Sequence, residues 1–413
     1  MPNRSKIRIL LLFYIALFAV GAMLVWWSTP RRFPFGIYGF GKILGVWGFT
    51  ALGLQFILSS RSKLLEKGIG LDRIMRFHSL NAKMMFTAVL LHPFLLGAAL
   101  NFKAYTLFHW LGLAAFGLMV VVLVTTLYST FLKLNYEYWK VIHKIGYIIL
   151  VLAFAHSFFL GTDILTRGPV FWWWIFLTAL LGAGILTRQF HQRYKYEVTE
   201  VRRENDDVRT IKLKPLGQKM DHHPGQFAFV RFLGDISSEE HHFTLSSSPT
   251  DPYLSFTVKE LGDFTAELGR LKKGDQAILD GPFGAFSNYL EAGPFLFISG
   301  GIGITPIISM VKYMFQNKVN KDSVLVYTVK EKKDLVFADE FDKIDREKWF
   351  EVIYRFTEKE GHLDENFFQK IKNLKKRTVY LVGPGAMVES TKALLLGLGV
   401  NPGQIHTELF ALR

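Results

Sequence analysis

Apolar residues are spread unevenly along the chain. Before residue 190 they gather in six runs, at about 8–27, 37–59, 78–101, 106–132, 139–160 and 169–187. Each is near or above the roughly 20 residues that a helix needs to cross the hydrocarbon core. The pattern predicts six transmembrane helices. The first is read as retained, because its run is Trp-rich and no small-residue cleavage pattern follows it. Past residue 190 the composition becomes ordinary. Strand-like segments such as YLSFTV (253–258) appear first, and strands then alternate with helical stretches. The remaining length, about 220 residues, suits two domains of roughly 100 residues each.

Charge sets the orientation of the helices. Lys and Arg exceed Asp and Glu by 14 in 413 residues. Arg4, Lys6 and Arg8 precede the first run, and Arg61, Lys63, Lys67, Arg73 and Arg76 lie between the second and third. Lys133 and Lys140 flank the next loop on that side, and Arg188 and Arg193 follow the sixth run. The opposite loops hold only Arg31, Arg32, Lys103 and Arg167. By the positive-inside rule both chain ends are expected in the cytoplasm of a multi-pass cell-membrane protein. The basic balance is therefore a topology signal. No interleaving of aromatic and basic residues argues for nucleic acid. With no cysteine in the chain, disulfides, thiolate metal sites and Cys nucleophiles are excluded.

Two apolar runs carry ionisable residues in pairs. HSLNAKMMFTAVLLH opens on His78 and closes on His92, and HKIGYIILVLAFAH runs from His143 to His156. The third and fifth helices run in the same direction, so His78 is level with His143 and His92 with His156. At 1.5 Å per residue the two levels lie about 20 Å apart. Fourteen steps return His92 to within roughly 40° of His78 on one helix face. Thirteen steps leave His156 roughly 140° from His143 unless the fifth helix is locally irregular. A lone histidine in a span also serves as a packing or proton-relay residue. Matching pairs at matching depths favour two haems held by axial imidazoles. Gly146 is expected to leave room for a flat macrocycle. No second histidine matches His109 in depth, and it reads as an interfacial residue.

In the polar half, PFLFISGGIGITPIISMVKYMF (294–315) is the clearest motif. An apolar strand runs into Gly300, Gly301 and Gly303. Thr305 is expected to cap a helix whose first turn holds Pro306. Glycines admit a phosphate close to the backbone, and the helix start offers amides and a favourable dipole. Lys330, after the strand SVLVYTV (323–329), suits a 2′-phosphate or is an ordinary solvated charge. Upstream lie PGQFAFVRF (224–232), HHFTLSSSP (241–249), FTVKELGDFT (256–265) and DGPFGAF (280–286). The stretch from Gly262 to Thr265 is a second candidate phosphate seat.

In order, HHFTL, GDFT, DGPFG, GGIGITP, LVGPG (381–385) and HTELF (406–410) resemble the ferredoxin-reductase-like module of the NADPH oxidase and ferric reductase family. The histidine pairs on six spans resemble that family's membrane domain. The compact length looks most like a prokaryotic NADPH oxidase homologue. The resemblance implies a multi-domain chain in three parts. Residues 1–190 would be an all-α six-helix transmembrane di-haem bundle, 191–290 an antiparallel β-barrel flavin domain, and 291–413 an α/β Rossmann-like NAD(P)H domain. His78 with His143, and His92 with His156, would each hold one haem b. His241, Phe243 and Thr244 would face the flavin, and Gly262, Asp263, Phe264 and Thr265 the FAD pyrophosphate. Gly300, Gly301, Gly303, Thr305, Pro306, Gly383, Pro384 and Lys330 would bind NADPH, with NADH possible. Phe410 would stack on the isoalloxazine. His242 stands where proline is usual and Val382 where cysteine is usual.

The implied activity is electron transfer from cytoplasmic NAD(P)H, via FAD and two haems, to oxygen across the membrane, yielding superoxide. The alternative is a transmembrane ferric or other metal-chelate reductase. A third reading is an ion-conducting span or sensor with a degenerate reductase module. The implied partners are oxygen or a ferric chelate and membrane lipid, with no nucleic acid and no obligatory protein partner.

Overall fold

In the computed structural model, described residues are 4–28, 36–63, 65–66, 70–100, 106–129, 131–132, 134, 136–187, 192–289 and 291–409. Phe410 lies outside them. So do Arg31, Arg32, Lys67, Lys103, Lys133 and Arg188. The chain divides into two compact units, residues 1–190 and 191–413.

The first unit is helical: α1 (Arg4–Ser28), α2 (Ile37–Leu58), α3 (Leu71–Leu100), α4 (Leu107–Leu127), α5 (Tyr136–His143), α6 (Gly146–Leu160) and α7 (Pro169–Thr187). With α5 and α6 counted as one span, six helical segments among the described residues are long and apolar enough to cross a membrane. Their outward faces are apolar, with Leu12, Trp27, Phe94, Val151 and Trp172 all exposed. The inward faces carry the polar ties. Fully buried Asn81 donates to the Ala51 carbonyl at 2.8 Å and accepts from the Tyr14 hydroxyl at 2.9 Å. Gln55 donates to the His78 carbonyl at 3.1 Å. Hydrocarbon offers no water to polar groups, so such ties between helices fix their packing.

The fifth span is broken where the histidine spacing needs it to be. α5 ends at His143 and α6 begins at Gly146. Across the break Ile145 bonds to Ile142, Tyr147 to Lys144 and Ile148 to Ile145, at 2.8–3.1 Å. These are i→i+3 bonds, and winding at three residues per turn adds roughly 20° per residue over an α-helix. The tightening rotates His156 toward the phase of His143.

The second unit contains two sheets. The first has β1 (Arg193–Arg203), β2 (Val208–Pro215), β3 (Phe227–Leu233), β4 (His241–Thr244), β5 (Leu254–Lys259) and β6 (Gln276–Phe283). All its neighbours are antiparallel, in the order β4-β3-β6-β1-β2-β5. An antiparallel β-barrel was expected, and among the described residues no ladder closes this sheet. Edge strand β4 has only four residues, and the chain beyond it meets β5 through a single bridge, Leu245 to Phe256. Ser246 and Ser247 then join a buried hydroxyl cluster with Ser255 and Thr257.

The second sheet has β7 (Phe295–Gly300), β8 (Ser323–Val329), β9 (Phe350–Phe356), β10 (Thr378–Gly383) and β11 (Ile405–Leu409). It is wholly parallel, in the order β11-β10-β7-β8-β9. Every residue of β7 and β8 is buried, which explains their continuous apolar runs. From β7 the chain builds outward to β8 and β9, then crosses to the other side for β10 and β11. The crevice beyond the carboxyl ends of β7 and β10 is thus a topological switch point, where open parallel sheets bind ligands.

Candidate functional site

The four span histidines meet as two pairs. His78 on α3 and His143 at the end of α5 have ring centroids 6.1 Å apart and planes at 51°. His92 on α3 and His156 on α6 have centroids 6.3 Å apart and planes at 86°. In the second pair each Nδ1 lies 2.8 Å from a backbone carbonyl, His92 at Gly41 and His156 at Phe108. A carbonyl only accepts, so Nδ1 carries the proton and Nε2 keeps its lone pair for a metal. In the first pair both Nδ1 atoms are buried with no hydrogen-bond partner among the described residues, and the His143 ring stacks on Trp139 at 4.9 Å.

Two glycines make room for the second pair. A Cβ on Gly45 would lie 2.7 Å from His92 Cε1, and one on Gly112 would lie 2.5 Å from His156 Nδ1. Gly146, expected to leave room for a macrocycle, opens α6 after the break, and its Cβ position meets nothing within 4 Å among the described residues. His109 accepts from the Thr106 amide at 3.1 Å, in a capping box at the start of α4. Among the described residues no group of three or more His, Asp or Glu gathers to hold a bare ion.

In the second unit, strand alternation sorts the HHFT motif. His241 and Phe243 share one face, where His241 stacks on Phe264 at 3.9 Å and Phe243 lies parallel to Phe264 at 6.3 Å. Glu239 holds His241 at 2.7 Å. His242, on the other face, packs between Phe227 and Phe229. Thr244 is buried opposite Phe227 at the strand end. Phe264 belongs to the GDFT stretch, in the short helix α8 (Asp263–Glu267). Extended Gly262 precedes that helix, and Thr265 Oγ1 accepts the amides of Leu261 at 2.8 Å and Gly262 at 3.0 Å. Two motifs distant in sequence thus share one aromatic stack. His222, in the stretch leading to β3, is buried, and burial pulls its pKa down to about 4.

At the switch point the glycine motifs interlock. Gly301 has φ +54°, a left-handed conformation that favours glycine. A Cβ on Gly303 would lie 2.9 Å from the Val382 carbonyl oxygen, and one on Gly300 would lie 2.4 Å from Met387 Sδ and 3.0 Å from Pro384. Gly383 has φ +158° and lies against Gly300. The backbones at the ends of β7 and β10 can approach this closely only as glycine. Helix α9 (Ile304–Gln316) starts here, with Pro306 in its first turn. Thr305 was expected to cap α9. It lies inside the first turn instead, and its hydroxyl donates back to Ile302 at 3.3 Å. Val382 is a buried strand residue. Lys330 is exposed just past β8, and neighbouring Glu331 pairs with Lys333 at 2.9 Å.

Fold and site together define a membrane-spanning oxidoreductase with flavin- and nicotinamide-nucleotide-binding domains. Residues 44–154 match the ferric reductase like transmembrane component, 193–287 match the FAD-binding domain, and 297–393 match the oxidoreductase NAD-binding domain. On one chain, these give the architecture of the NADPH oxidase and ferric reductase transmembrane family. The glycine betaine monooxygenase reductase subunit of Pseudomonas aeruginosa is 30% identical over 203 residues, 45% of this chain and 56% of the relative. Flavohemoprotein A of Dictyostelium discoideum is 25% identical over 251 residues, 56% of this chain and 62% of the relative. The chain thus spans little more than half the length of these curated relatives. The crystal structure of flavohemoglobin from Malassezia yamatoensis, with bound FAD and heme, covers 91% of this chain and 96% of its own. At 17% identity and a TM-score of 0.52 it shows a likeness of fold alone.

Proposed function

We propose that the protein is a transmembrane NAD(P)H oxidase that takes electrons from NAD(P)H in the cytoplasm and delivers them to oxygen on the opposite side of the membrane, producing superoxide. The observation that carries this reading is the pair of facing imidazoles at each of two depths. A metal bound at roughly 2 Å to one nitrogen of each ring, with its other positions filled by a macrocycle, suits centroids about 6 Å apart. His78 with His143 and His92 with His156 would each hold a haem b in this way. When bound, FAD and the haems supply the hydride-accepting and one-electron chemistry.

The chain's own residues bind, orient and exclude. Gly300, Gly301, Gly303, Gly383 and Pro384 form the close backbone seat for the nicotinamide nucleotide. Lys330 would meet a 2′-phosphate, which favours NADPH while NADH remains a substrate. His241, Phe243, Thr244 and the stretch Gly262, Asp263, Phe264, Thr265 would hold the flavin, with Phe410 covering it. On this reading the second unit divides near residue 290 into flavin and nucleotide domains, and both termini are cytoplasmic. Nothing in the reading calls for an obligatory protein partner. The match to a ferric reductase like component favours a second acceptor, a ferric chelate, as the alternative.

The test is a visible spectrum of the purified, FAD- and haem-loaded protein given NADPH without oxygen, followed by oxygen uptake on admitting air. We expect reduced-haem absorption that oxygen reverses, and His156→Leu should retain flavin reduction while losing oxygen uptake. Protein that takes up no haem on loading, and so shows no haem absorption, would overturn the reading and restore the ion-conducting alternative.

A further inference from the structure

Helix α9 carries its polar residues sparsely. Ile307, Ile308, Met310 and Val311 are fully buried, and Ser309 among them is equally buried. A serine or threonine inside a helix commonly returns its hydroxyl to a carbonyl of its own preceding turn. Thr305 does this, donating to Ile302. Ser309, one turn further on, does not. Its hydroxyl leaves the helix and donates to the Ser247 carbonyl at 2.7 Å. The same oxygen lies 3.4 Å from the amide of Gly225, as an acceptor. Ser247 follows Thr244 by three residues and Gly225 precedes β3, which pairs with β4. Packing there is tight, since a Cβ on Gly225 (φ +87°) would lie 2.4 Å from Met310 Cε.

We infer that Ser309 is a positioning residue for hydride transfer. It sets the register between the glycine loop that seats the nicotinamide nucleotide and the strand pair β3–β4, whose β4 residues face the flavin. It touches neither ligand. A short hydroxyl-to-carbonyl bond in a dry interface has one good geometry, whereas the apolar contacts around it tolerate small slides. Displacing donor from acceptor by about 1 Å can cost on the order of a hundredfold in rate. The inference rests on the reading above that NAD(P)H reduces a flavin held by β4 and α8.

The experiment is anaerobic stopped-flow reduction of the flavin by saturating NADPH in the full-length, FAD-loaded protein. Wild type tests the underlying reading, because failure to reduce flavin at all would sink that reading first. Ser309→Ala should lower the limiting reduction rate about tenfold or more, with FAD content and the NADPH concentration for half-maximal rate unchanged. It should also weaken the long-wavelength charge-transfer absorption between flavin and nicotinamide. Ser309→Cys keeps a donor at the same position, bulkier and weaker than the hydroxyl, so its rate should fall between the two. Gln316→Ala removes the ties from the same helix to Thr250 and Asp251, and should leave the rate near wild type. Should Ser309→Ala lose its flavin, the comparison of Ser309→Cys with Gln316→Ala carries the test. Ser309 variants that reduce flavin at the wild-type rate, or no more slowly than Gln316→Ala, would overturn the inference.

Discussion

Gly45 and Gly112 let the rings of His92 and His156 stand where they do, because a side chain at either position would overlap an imidazole. Substituting Gly112→Val should displace His156 and leave one haem per chain in place of two, by quantitative haem assay. Gly117→Val on the same helix, where a Cβ meets nothing within 4 Å, should keep both. Equal haem content in the two variants would show that the glycine is not what seats the ring. The four histidines were legible in the sequence because any ionisable side chain stands out in an apolar run. The two glycines were not, since α2 alone contains Gly39, Gly41, Gly45, Gly48 and Gly53 and no local pattern says which one faces a ring. The carbonyl anchors at Gly41 and Phe108 were hidden for the same reason. They are contacts between helices, and a sequence shows only contacts within one.

Element boundaries followed the apolar runs where the membrane dictates them and drifted where it does not. α3 starts at Leu71, seven residues before the apolar run, because a helix continues through polar surroundings once its backbone is nucleated. The break between α5 and α6 was legible as a phase conflict between two histidines before any helix end was visible. Closure of the antiparallel sheet was not, because it depends on whether one four-residue edge strand finds a partner. The cap assigned to Thr305 failed because the turn before α9 is built by Gly301 to Gly303, leaving Thr305 one place inside. Strand β8 ends where its burial ends, just before exposed Lys330, and that charge makes a cofactor prediction. Lys330→Ala should lower kcat/KM for NADPH about tenfold, the equivalent of about 1.4 kcal/mol, and leave NADH unaffected. Equal changes for the two nucleotides would remove the loop from cofactor selection.

At the scale of the whole molecule, six spans with basic residues on one side make an orientation prediction that the absence of cysteine renders easy to read. Single cysteines introduced as Ser62→Cys and Thr166→Cys would be the sole thiols in their chains. In intact cells a membrane-impermeant maleimide should label the second and spare the first. The reverse pattern would place the nucleotide domains outside and contradict a cytoplasmic donor. On the proposed reading two paired levels are needed, because the hydrocarbon is about 30 Å thick and centres about 20 Å apart along α3 would divide it into shorter hops. The most direct measurement of this account is cytochrome c reduction by the FAD- and haem-loaded protein with NADPH, with and without superoxide dismutase. Abolition of the signal by the dismutase is the predicted result, because the electrons then reach oxygen singly. Reduction that persists undiminished would contradict it and make a metal chelate the acceptor.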